Sequence, residues 1–127
     1  MEFEKIRVTD DEVMRVLREV VAERPEFVYT NPSGESGNPG VNTPTCFYVH
    51  GEVPGCVIGH LLHRLGVPLA VLRNLEHDHA SAVIDEVMEG VTDAVVLALT
   101  GAQAAQDHGN PWSVALERAE AIRFAQG

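Results

Sequence analysis

The chain has 127 residues, 45% of them apolar and 22% charged, and its 19 acidic and 9 basic side chains give a formal charge of −10. That length suits one domain with a core large enough to need neither disulfide nor metal, and the composition is globular, not disordered. The negative excess disfavours non-specific nucleic-acid binding and docking on an anionic membrane.

In chain order, the first element starts at Thr9-Asp10-Asp11-Glu12, which has the spacing of a capping box. Val13, Val16, Leu17, Val20 and Val21 then follow the rhythm of one buried helical face, and Arg24-Pro25 ends it. Phe27-Val28-Tyr29 and Cys46-Phe47-Tyr48-Val49-His50 read as short strands, so a β-ribbon is expected from residues 27–30 and 46–50. Between them, residues 31–44 hold Pro and Gly without periodicity and read as a long irregular loop. A helix is expected over 55–65 with Gly66 as its left-handed cap, and a short one after Pro68 carrying Leu69, Leu72 and Leu75.

A further helix is expected over 78–89 with Ala80, Val83, Ile84, Val87 and Met88 inward. Thr92 is placed to cap the most apolar helix, which runs towards Asp107. Gly109-Asn110-Pro111 stops that helix and starts the last, with Asn110 as N-cap and Trp112, Ala115, Ala119 and Ile122 on one face. No internal repeat or separating linker interrupts the pattern. The fold expected is mainly α: a single helical domain over 1–127, a compact bundle of five or six helices with a small two-stranded β-ribbon.

The N-terminus lacks the basic-then-apolar order of a secretory signal, and the charge-free run Ala94–Gln106 is too short to cross a bilayer. Two cysteines, Cys46 and Cys56, are too few for a secreted disulfide scaffold, so a cytoplasmic protein with thiols is expected. The Arg, Ala, Val and Gly bias suits a G+C-rich genome.

One cluster has chemical potential. On a helical wheel Cys56, His60 and His63 fall together, opposite Val57, Ile58, Leu61, Leu62 and Leu65. On the preceding strand Cys46, Tyr48 and His50 share a face. If strand and helix faced each other, Cys46, Cys56, His60 and His63 would form a four-ligand set suited to zinc, or Cys56 a reactive thiolate at a helix N-terminus. The plainer reading is a cysteine packed as a small apolar residue, two solvated histidines and no cofactor.

Other constellations are weaker. His60 or His63, then His77-Asp78 and Asp107, resembles the order of HD-type metal phosphohydrolases, but the apolar helix that precedes the HD pair in that family is missing. Asp85, Glu86, Glu89 and Asp93 are similar to one carboxylate set of all-α nucleotide pyrophosphohydrolases, without the second set. The turn at Gly109-Asn110-Pro111 leads into a helix with too few bases to hold DNA.

Two longer patterns stand out: Cys46-x-Tyr48 leading to Pro54-Gly55-Cys56-Val57-Ile58-Gly59-x-x-Leu62-x-x-x-Gly66-Val67, and Gln103-x-x-Gln106-Asp107-x-Gly109-x-x-Trp112-x-x-Ala115. Over roughly residues 45–125 the chain resembles short uncharacterised helical proteins of actinobacteria and of their phages and mobile elements. That resemblance implies an origin and a helical fold and transfers no catalytic residue; a phage or mobile-element origin would favour action by binding a host protein. The function expected is a non-enzymatic protein-interaction module, binding another protein or itself, with the acidic helix at 78–89 and the loop at 31–44 as contact regions. A metal- or thiol-dependent Cys/His site is the alternative.

Overall fold

The computed structural model describes residues 4–29, 48–50, 52–75 and 79–126, with only the backbone of His50 and Gln126. The loop at 31–44, Cys46 and His77-Asp78 lie outside these residues.

Among the described residues the fold is mainly helical, with two short β pairs. The elements are β1 (Ile6–Arg7), α1 (Asp10–Glu23), β2 (Val49–His50), β3 (Val53–Pro54), α2 (Val57–Arg64), α3 (Leu69–Arg73), α4 (Ala80–Val87), β4 (Met88–Glu89), α5 (Asp93–Asp107) and α6 (Trp112–Gln126). Their buried faces merge into one apolar cluster, running from Val8 through α1, α2, α4 and α5 to Ala119.

α1 forms where the capping box predicts: Thr9 Oγ1 accepts from the Glu12 amide at 3.1 Å, and the Glu12 carboxylate accepts from the Thr9 amide at 3.3 Å. Val13, Val16, Leu17, Val20 and Val21 are buried, as the periodicity demands. α5 and α6 pack against each other, and both bury small residues: Ala98, Ala102 and Ala105 on one helix, Ala115 and Ala119 on the other. Gly101 lies directly under the Ile122 side chain. Two ion pairs join α6 to α1, Arg18 to Glu120 at 2.6 Å and Arg123 to Asp11 at 2.7 Å.

The β structure differs from the ribbon expected of residues 27–30 and 46–50. β2 pairs with β3 as an antiparallel hairpin, Val49 opposite Pro54 and His50 opposite Val53. Residues 27–29 form no strand, because their neighbourhood is used otherwise. The Phe27 carbonyl accepts from the Trp112 amide at 3.0 Å and the Pro25 carbonyl from the Ser113 amide at 2.8 Å. Helix N-terminal amides lack an acceptor within their own helix, so this segment caps α6.

A second, unforeseen pair is parallel: β1 runs beside β4, with Ile6 opposite Met88 and Arg7 opposite Glu89. β4 takes the last residues of the helix expected over 78–89, so α4 stops at Val87. Gly90 closes the junction with φ +101°, and a β-carbon there would strike the Val8 carbonyl oxygen.

Two caps are also reassigned. Thr92 occupies the N-cap of α5, but its amide and hydroxyl both donate to the Asp10 carboxylate, at 2.8 and 2.7 Å, which ties the starts of α5 and α1 together. The Asn110 side chain does not cap α6; it donates back to the Ala105 carbonyl near the end of α5, at 2.9 Å. Among the described residues no helix is long and apolar enough to cross a membrane.

Candidate functional site

Helix α2 carries three of the four candidate ligands, and its aliphatic side sinks as expected: Val57, Ile58, Leu61 and Leu62 are fully buried. The opposite side does not gather sulfur and imidazole. Cys56 precedes the helix with extended backbone, φ −74° and ψ 174°, so the wheel that aligned it with His60 and His63 does not apply to it. Cys56 is fully buried and disulfide-bonded. The chain's one other cysteine, Cys46, lies outside the described residues. The expectation of thiols is corrected to that extent, since no described cysteine is free.

The histidines part company. His60 is half-buried and meets the Trp112 ring edge-on, with centroids 5.2 Å apart, while its Nε2 lies 3.4 Å from an Arg24 guanidinium nitrogen. His63 is exposed and turns to the helix end, its Nδ1 3.2 Å from the Val67 carbonyl oxygen. Among the described residues no three His, Cys, Asp or Glu side chains are placed to hold a metal ion.

What the site contains instead is a buried amide hub. The Gln106 side-chain oxygen accepts from the Val57 amide at 2.7 Å and from Trp112 Nε1 at 3.1 Å, and its nitrogen donates to Asp107 at 3.0 Å. Cys56 offers α2 no side-chain cap, so Gln106, reaching across from α5, supplies one. The two patterns singled out in the sequence therefore meet: Val57 of the first and Trp112 of the second share one carbonyl oxygen. Gln106 was legible as a polar residue on the otherwise apolar stripe Val95, Leu99 and Ala102, a signal that composition and motif matching pass over.

Outside the hub, Trp112 is flanked by Phe27 at 4.8 Å between centroids, and the Arg24 guanidinium lies 4.6 Å from the Phe27 centroid and 5.4 Å from that of Trp112. Next to it Glu23 binds Arg64 at 2.7 Å. The hydrogen bond from Arg64 holds the Glu23 carboxyl below its usual range, helped by the nearby positive charge. This rim sets charge and aromatic surface beside the hub.

A second candidate surface lies across α4 and the start of α5. Asp85, Glu86, Glu89 and Asp93 are all exposed. Arg7 pairs with Glu89 at 3.3 Å, and none of the ion pairs among the described residues involves Asp85, Glu86 or Asp93. Comparison with known proteins finds no matching family model, no matching curated protein and no matching solved structure.

Proposed function

We propose that the chain is a non-enzymatic interaction module whose acidic surface, Asp85 and Glu86 on α4 with Glu89 and Asp93 beyond it, docks on a basic face of another protein. The observation behind this reading is the uncompensated charge. Elsewhere on the described surface Arg15, Arg18, Arg64 and Arg123 each hold a carboxylate, whereas in this group Glu89 of β4 pairs with Arg7 and none of these ion pairs involves Asp85, Glu86 or Asp93. Such a field steers and selects a basic partner. It also favours a different protein over a second copy, because a twofold contact through this face would set like charges together. The resemblance to phage and mobile-element proteins supports a host protein in that role.

The test is co-purification from native lysate with the wild type and with Asp85→Lys/Glu86→Lys. The reading requires a specific partner that the variant loses and that added salt releases, with the variant's melting temperature unchanged. A partner held equally by the variant, or none, overturns it. The Cys/His alternative draws no support from the described geometry, because Cys56 is in a disulfide and the imidazoles diverge. Stoichiometric zinc in purified protein would restore it.

A further inference from the structure

Helix α4 ends at Val87 although the residues beyond it are suited to continue the helix. Met88 and Glu89 are good helix formers and poor strand formers. The Met88 amide already donates to the Ile84 carbonyl, four residues back, as it would within a helix. Met88 also extends the buried face of Ala80, Val83, Ile84 and Val87, and is itself buried. Gly90, at φ +101°, holds the left-handed conformation that closes helices. What draws the two residues into β4 is slight. It consists of a parallel pair two residues long, the Val8 amide bonded to the Glu89 carbonyl at 3.0 Å, and the Arg7–Glu89 ion pair. That ion pair is exposed at both ends and contributes little.

Charge opposes the continuation. A longer α4 would set Glu89 one turn from both Asp85 and Glu86, crowding carboxylates at the negative end of the helix dipole. No basic residue stands in the last turn to offset them. We propose that Met88–Glu89 is a helix–strand switch: neutralising Asp85, Glu86 and Glu89 lengthens α4 to Glu89 and releases β1. The trigger, a basic partner, rests on the docking reading above; the switch itself rests only on these carboxylates. Two residues advance about 6.6 Å in a strand and about 3 Å in a helix, so the chain after Gly90 is drawn back by roughly 3.6 Å. That step pulls Thr92 from the Asp10 carboxylate, so its two hydrogen bonds open together with the β1–β4 pair.

NMR on the intact chain tests this through the carbon shifts of Met88 and Glu89 and hydrogen exchange at the Thr92 amide. The wild type should show extended shifts at both residues and a protected Thr92 amide. Asp85→Asn/Glu86→Gln/Glu89→Gln should move both residues into the helical range and speed Thr92 exchange about tenfold, as a local opening does. Saturating oligolysine should do the same to the wild type. Glu26→Gln/Glu52→Gln/Glu117→Gln, which neutralises exposed carboxylates elsewhere, should change neither reading. Extended shifts retained in the first variant or under oligolysine, helical shifts already present in the wild type, or equal movement in the second variant each overturns the switch. A native partner held through Asp85 and Glu86 while Met88 and Glu89 stay extended also overturns it, and leaves the docking reading intact. A first variant that switches, in a protein for which lysate yields no partner, upholds the switch and removes the docking reading.

Discussion

The seam between α5 and α6 and the seam between α2 and its neighbours are both closely packed, yet they are built on opposite rules. α5 and α6 bury alanines and a glycine, and what stands against Gly101 is the end of a side chain, the tip of Ile122. Around α2, backbone presses on backbone at Gly59 and Tyr48, and one buried amide serves two donors. Side-chain ends can turn aside at a fraction of a kilocalorie. A carbonyl fixed in a hairpin, or a donor stranded in the core, has nowhere to go. Tolerance to substitution should therefore depend on what stands opposite a residue more than on how deeply it is buried.

The largest effect is expected at the hub. Gln106→Leu keeps the volume but strands the Val57 amide and the Trp112 indole N–H, which should cost about 3–4 kcal/mol in urea unfolding. Gly59→Ala comes next. Its methyl would overlap the Tyr48 carbonyl, and after the gain in helix propensity a net loss of about 2 kcal/mol is expected by the same measurement. Gly101→Ala brings a methyl against the Ile122 tip, which can rotate; the propensity gain offsets the crowding, and stability should stay within about 0.5 kcal/mol of wild type. Equal losses at the two glycines would erase the distinction between the seams.

The smallest effect belongs to the water-exposed rim. Glu23 has its pKa lowered in the folded protein, chiefly by the Arg64 hydrogen bond, so its contribution is complete above the ordinary glutamate range and vanishes as pH falls through the lowered value. Thermal melts of wild type and Glu23→Gln should differ slightly near neutrality and converge in acid. A gap that widens on acidification contradicts the pairing.

Much of the helical frame was legible because local rules settle it. The capping box at Thr9, the stripe of α1 and the glycine after α2 each act within a few residues. The ribbon was misread because strand propensity at Phe27-Val28-Tyr29 says nothing of a demand made by α6, whose bare amides recruit that segment's carbonyls. β1 and β4 were missed for a related reason: two-residue strands carry no periodicity, and their pairing is decided by tertiary contact. Of the candidate site, the described part departs from the helical wheel at a single torsion. Placing Cys56 on the helix aligned it with His60 and His63, and the extended backbone at that residue removes it.

The parallel pairing of β1 with β4 has a consequence for the order of events during synthesis. Arg7 and Glu89 are 82 positions apart in the chain, as are Asp10 and Thr92. At translation rates of roughly 5–20 residues per second, the leading segment waits on the order of ten seconds for the strand and threonine that will hold it. α1 can wind early on its own capping box, but the segment before it gains its partners only when Met88, Glu89 and Thr92 have been made. The residues of β1 are thus fastened long after they have been translated.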